Sequence, residues 1–186
     1  PKRKGEVRFG TPASLVRVRY GREGNKVSWV ALANVPSFLI AENLVVESPH
    51  LGKLAFDVAY GGNFYAIVDP QKHFRDLADF AAGELIRFSR ELRPLINQKY
   101  PGRFVHPEDV NIQGVSHLLW TGKPVSGKAT ARNAVFYGDK AIDRSPCGTG
   151  TSARMAQWAK QGRLREGDVF VHESYIGSLF EGRILG

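Results

Sequence analysis

Cysteine and methionine each occur once in the 186 residues, and no apolar run approaches the roughly 20 residues that a membrane-spanning helix needs. One thiol, Cys147, cannot close an intramolecular disulfide or supply a multi-thiolate zinc site. A reducing, cytoplasmic compartment is therefore expected, with neither a membrane nor a metal as partner. The 20 glycines and 10 prolines are scattered, which excludes collagen-like and low-complexity chains. Acidic residues are also short: 18 against 26 Lys and Arg, for a net charge of +8. That excess raises the question of a nucleic-acid partner. The basic residues are spread along the chain, however, with Lys2-Arg3-Lys4 the one tight cluster, and the aromatics sit at core-like positions. No nucleic-acid partner is expected. What remains is 42% hydrophobic, enough for a globular core. The chain opens on Pro1 with no apolar segment of a signal peptide, so its start reads as trimmed or internal.

Alternation over Ser14–Tyr20, with Val16, Val18 and Tyr20 on one face, predicts a strand that turns at Gly21–Asn25 and returns over Val27–Leu32. A second hairpin is expected from Leu54–Tyr60 and Phe64–Val68 around Gly61-Gly62. Between Leu77 and Ile96, Leu77, Ala81, Leu85, Phe88, Leu92 and Leu95 then step by three and four, predicting one long helix that Pro94 kinks near Arg93 or splits into two abutting helices, ending at Pro101-Gly102. Further strands are expected at Val115–Trp120, Asn133–Tyr137, Val169–Glu173 and Ser178–Ile184, and a helix over Thr149–Lys160 stopped by Gly162. The fold class is α+β, with mostly antiparallel strands and two principal helices.

Asp143-Arg-Ser-Pro-Cys-Gly-Thr-Gly-Thr151 concentrates the chemistry. Cys147 stands where Pro146 ends an apolar strand and Gly148 and Gly150 open a helix. Amides in a helix's first turn lack intrahelical acceptors, so those of Gly148 and Thr149 form a ready anion site, and the same field favours the thiolate of Cys147. Asp143 adds a carboxylate able to hold a cationic amine. Anion site, amine acceptor and activated thiol together describe a pocket for an amino acid. Taken alone, Cys147 reads equally as buried filler, and Asp143-Arg144 as a surface pair.

That nonapeptide resembles the second active-site motif of the proline racemase family, which includes 4-hydroxyproline 2-epimerases. Phe56–Ala66, Glu173–Arg183 and Thr11-Pro12 are similar to the same family, so the resemblance covers nearly the whole chain. It implies a diaminopimelate-epimerase-like lobe, β-strands wrapped around a central helix, with one further long helix. It implies Cys147 as one acid/base of a cofactor-independent, two-cysteine inversion at Cα, Asp143 on the substrate amine, and Gly148 and Thr149 on its carboxylate. The family's other motif, Met-Cys-Gly-His, is missing here. Residues 1–186 are therefore expected to be one lobe, the second and cysteine-bearing one, of a longer two-lobe enzyme, with the first lobe largely absent. Alone, the chain is expected to be inactive.

Substrate choice within the family points to His117, where hydroxyproline epimerases are similar in having histidine; it can hydrogen-bond a ring hydroxyl that proline lacks. A strand histidine satisfied by backbone is the competing expectation. Tyr137 is expected in the pocket wall or in the core. The expected partner is a small amino acid, hydroxyproline or alternatively proline; no cofactor and no metal are called for, and a homodimer stays open. So do three other classes: a Cys-His hydrolase using His50, His73, His106, His117 or His172 as base, a nucleic-acid module using the +8 charge, against which the core-like aromatics count, and a non-catalytic carrier or interaction domain.

Overall fold

In the computed structural model the described residues are 2–12 and 14–185. They divide into two compact units, residues 1–36 and 37–186.

The first unit is an antiparallel meander of Lys2–Thr11 (β1), Ser14–Glu23 (β2) and Lys26–Ala33 (β3). The hairpin read from alternation is β2 and β3; β1 lies outside the expected elements because Lys2-Arg3-Lys4 and Gly5 hide the alternation that begins at Glu6. Register pairs Phe9 with Val16, Val18 with Leu32 and Tyr20 with Val30, placing one apolar set on a single face. Phe9, Val30 and Leu32 nevertheless stay more than half exposed.

The second unit is built on one sheet: Phe38–Ser48 (β4), Gly52–Tyr60 (β5), Phe64–Val68 (β6), His117–Gly122 (β7), Ala131–Tyr137 (β8), Ala141–Ile142 (β9), Phe170–Glu173 (β10) and Leu179–Gly182 (β11). Its path runs β11-β10-β8-β7-β6-β5-β4, with β9 paired to β8. Neighbours are antiparallel except β6 with β7 and β10 with β8. A parallel pair needs a crossover, and the two helices supply them: Ala82–Lys99 (α1) between β6 and β7, and Gly148–Lys160 (α2) before β10. The α+β class and the two principal helices are as expected.

The helices cover opposite faces of the central strands. Tyr65, Ile67, Leu119 and Val135 cluster with Ala153 of α2. Trp120 points the other way, donating to Ser89 Oγ of α1 at 2.8 Å and meeting the Phe88 ring. Covered on both sides, all five residues of β6 are buried. The α2 helix packs against β4, β5, β6 and β11, so strands curve around it.

The expected long helix is divided, though not at its proline. Leu77–Asp79 forms one 3₁₀ turn capped by Asp76, whose carboxylate accepts from the Ala78 amide. Phe80 is extended, and α1 starts afresh after Ala81, whose N–H donates to Glu84 Oε2 at 2.9 Å. Pro94 lies inside α1, which runs through it.

Between β5 and β6 the chain turns at Gly61 and Gly62 directly on α2. A β-carbon at Gly61 would lie 2.2 Å from the Thr149 carbonyl oxygen and 2.6 Å from the Ala153 nitrogen, both backbone atoms that cannot step aside. Gly61→Ala should therefore lower the unfolding free energy by roughly 2–3 kcal/mol in urea titrations. Gly83→Ala, in open space on α1, should change it by less than about 0.5 kcal/mol or raise it. Equal midpoints for the two variants would refute the backbone contact.

Candidate active site

Cys147 is the N-cap of α2, in the left-handed region at φ 63°. Residues other than glycine, Asn and Asp rarely occupy that region, and its cost is tolerated when surrounding structure fixes it, often at functional sites. Three bonds fix this turn. Asp143 Oδ1 accepts from the Ser145 amide at 2.8 Å, Ser145 Oγ accepts from the Cys147 amide at 3.0 Å, and the Cys147 carbonyl accepts from the Thr151 amide at 2.8 Å. The Gly148 and Thr149 amides, ahead of the first satisfied turn, have no acceptor among the described residues. The space beside Gly148 is open.

The sulfur has three polar neighbours. Gly150 N–H donates to Sγ at 3.4 Å, Tyr65 Oη lies at 3.3 Å and Thr149 Oγ1 at 3.7 Å. Tyr65 and Thr149 also meet each other at 2.6 Å. Burial first, then the neighbouring thiol, holds the Tyr65 phenol well above its ordinary pKa, so it keeps its proton. With sulfur as thiolate, the two hydroxyls form a relay ending on Sγ, and the shorter contact to sulfur, 3.3 Å from Tyr65 Oη against 3.7 Å from Thr149 Oγ1, favours Thr149 hydroxyl to Tyr65 oxygen and Tyr65 hydroxyl to Sγ. Gly150 makes room for it: a β-carbon there would crowd Sγ at 3.3 Å and the Tyr65 ring at 3.3 Å.

His117 stands beside Tyr65 because β6 and β7 pair in parallel with these residues in register, and their rings are 4.9 Å apart. Its Nδ1 is 2.7 Å from Ser116 Oγ, and Nε2 has no hydrogen-bond partner among the described residues. Burial first, then the Arg93 cation, pulls its pKa down to about 4 against a smaller upward pull from Asp143. It is a neutral imidazole at physiological pH. The structure thus gathers Cys147, Gly148, Thr149, Asp143 and His117 at one end of the sheet, with Tyr65 between them. Tyr137 is not drawn in: it is 45% exposed and makes no hydrogen bond to Cys147, Thr149 or His117 among the described residues.

Tyr65 is the residue that sequence reasoning missed. It lies 82 positions from Cys147 and reads as an ordinary core aromatic within an apolar strand; the Gly61-Gly62 turn before it is the available signal. No imidazole is among the sulfur's hydrogen-bond partners in the described residues, which leaves a Cys-His hydrolase without its base. Among the described residues no group of three His, Cys, Asp or Glu side chains is placed to hold a metal ion. No helix among them is long and apolar enough to cross a membrane.

Known proteins are similar to this chain along its length. The family described as Proline racemase matches residues 1–186. A 4-hydroxyproline 2-epimerase of Ancylobacter novellus is 61% identical over 184 residues, which are 99% of this chain and 55% of that protein. One from Spirosoma linguale is 60% identical over 99% of this chain and 54% of its own length. Among solved structures, a hydroxyproline epimerase from Agrobacterium vitis with bound trans-4-OH-L-proline superposes with a TM-score of 0.87 at 31% identity, covering 98% of this chain and 52% of that one. The chain spans about half the length of the curated relatives it matches. With a match along its full length and relatives near 60% identity, the chain belongs to the proline racemase family.

Proposed function

We propose that residues 1–186 are the second, cysteine-bearing part of a cofactor-independent 4-hydroxyproline 2-epimerase about twice as long, and that Cys147 is one of its two acid/bases. The observation that carries this reading is the thiol at the start of α2, flanked by two free amides and by the protonated hydroxyl of Tyr65. The names of the relatives support the substrate, and the solved epimerase with bound hydroxyproline supports a small amino acid as ligand.

The chemistry follows from these groups. The substrate carboxylate sits on the Gly148 and Thr149 amides, its ammonium on Asp143, and its Cα hydrogen faces Sγ. The thiolate takes that proton and the electron pair delocalises into the carboxylate, where the amides stabilise the added charge. Tyr65 and Gly150 hold the thiolate before the step; once sulfur is protonated their bonds to it weaken. Inversion needs a proton from the opposite face. This chain has a single cysteine, so the second thiol comes from outside these residues. His117 turns Nε2 to the ring hydroxyl and, neutral, accepts or donates without adding a charge near Asp143.

In the full-length enzyme, Cys147→Ser should reduce hydroxyproline epimerisation at least about a thousandfold in a polarimetric assay while leaving the circular dichroism spectrum unchanged, because a hydroxyl is too weak an acid to replace the thiol. Wild-type turnover by the serine variant would remove Cys147 from the mechanism. His117→Leu should lower the hydroxyproline-to-proline ratio of kcat/KM roughly tenfold. In the wild type that ratio should stay flat from pH 8 to 5, since the imidazole protonates only near 4. An inflection near 6.5 would mean that His117 titrates freely and does not read the hydroxyl as a neutral ring.

A further inference from the structure

Beneath the Cys147 loop lies a histidine that the proposed mechanism does not use. His172 of β10 is completely buried. Its Nδ1 is 2.9 Å from Thr151 Oγ1 and 3.3 Å from Asn133 Nδ2, while Nε2 has no hydrogen-bond partner among the described residues. Asn133 and Thr151 are themselves buried, and both also reach the carbonyl of Pro146, the residue before the cysteine: Asn133 Nδ2 at 2.8 Å and Thr151 Oγ1 at 3.3 Å.

Donor and acceptor rules fix the arrangement. The Pro146 carbonyl can only accept, so the Asn133 atom beside it is the NH₂ group, and that group's second hydrogen is available to His172. An amide NH₂ cannot accept, so Nδ1 is unprotonated and the imidazole proton sits on Nε2. Thr151 has one hydroxyl hydrogen, and Nδ1 is its nearer acceptor. Two donors from two elements thus converge on one lone pair. Burial, and then the Arg154 cation, push the His172 pKa down to about 3, so the ring stays neutral and the lone pair stays available. Asn133, held this way, fixes the Pro146 carbonyl; Thr151, held this way, presents its amide to the Cys147 carbonyl at 2.8 Å. These two carbonyls bracket the φ rotation of Cys147, which stands at 63°.

Resting on the acid/base reading of Cys147, we propose that His172 is a positioning residue: through Nδ1 it orders Asn133 and Thr151, which clamp the carbonyls on either side of the left-handed Cys147 and aim its sulfur at Tyr65 and Gly150. An acceptor at this point is what the clamp needs; ring volume alone does not supply it. The left-handed turn is costly unless its surroundings determine it, and this network lies under it.

The test uses the full-length enzyme with His172→Phe, His172→Asn and Thr151→Val, and follows two quantities. One is kcat and KM for trans-4-hydroxyproline; the other is alkylation of Cys147 by iodoacetamide at pH 7, followed on its own peptide by mass spectrometry, which needs no substrate. His172→Phe should lower kcat roughly 30-fold with KM within about twofold and slow alkylation about tenfold, the scale expected when a reacting atom is misplaced by a fraction of an ångström. His172→Asn, whose Oδ1 falls where Nδ1 was, should recover most of both. Thr151→Val should reproduce the alkylation loss and add little to His172→Phe. Wild-type alkylation in His172→Phe or Thr151→Val, or an asparagine variant as impaired as the phenylalanine one, overturns the proposal. If His172→Phe fails to fold, His172→Asn and Thr151→Val carry the decision. A wild-type enzyme that does not epimerise hydroxyproline refutes the proposed function instead, and the alkylation rates still decide the role of His172.

Discussion

Backbone packed on backbone at Gly61 is the contact on which the rest of the site depends. The β5–β6 turn and the first turn of α2 approach so closely that no side chain fits between them. Because β6 leaves that turn directly, Tyr65 arrives within reach of the sulfur four residues later. The parallel register of β6 and β7 then sets His117 beside Tyr65. One glycine thus fixes a helix start, a hydroxyl and an imidazole in a common frame. Gly150 serves the same end from within α2, leaving space for the sulfur against the tyrosine ring.

Further along α2, orientation is secured by charge. Arg154, almost fully buried, grips the Asp69 carboxylate of the β6 end with two bonds of 2.7 and 3.0 Å and also donates to Gln157. Burial by itself would raise the Asp69 pKa; the Arg154 hydrogen bonds and charge outweigh it and hold the carboxyl below its usual value. Only Arg154 is buried and Asp69 is partly exposed, so solvent screens the attraction and the pair adds little net stability, while Arg154 without its carboxylate would be a buried unpaired charge. The apolar cluster of Tyr65, Ile67, Leu119, Val135 and Ala153 drives the packing, and the ion pair selects the rotation of the helix about its axis. A rotated α2 would carry Cys147 away from Tyr65.

Local signals in the sequence were legible and distant ones were not. Asp143 to Thr151 announces itself because proline, glycines and a carboxylate within nine residues constrain the backbone without help from elsewhere. Hairpins β2–β3 and β5–β6, and the extent of α2, follow from alternation and glycine stops. Strand β4 escaped because its ladder slips between Leu39 and Ala41 and again before Leu44, where Glu42-Asn43 breaks the alternation and Asn43 takes φ 55°. The break before α1 escaped because the apolar spacing continues through Phe80 although its backbone is extended. Tyr65, Asn133 and His172 each look like core of a strand; what makes them part of the site is the sheet order, which brings separate stretches of chain under one loop. Tyr137 shows the converse, since nearness in sequence to Cys147 left it at an exposed strand end.

Both parallel pairs carry a consequence for the time course of folding. A hairpin such as β5–β6 can close as soon as its turn forms, but β6 meets β7 only after α1 and its flanking loops are traversed, and β10 meets β8 only after α2. Loop-closure entropy is spent before those long-range pairs return anything, and such topologies fold slowly. Tyr65 and Cys147, 82 residues apart, belong to this late class, as do Asn133 and His172, 39 apart. Loop-closure entropy alone thus ranks the hairpins ahead of the contacts that surround the thiol, and puts the left-handed turn of Cys147 among the features that depend on long-range closure.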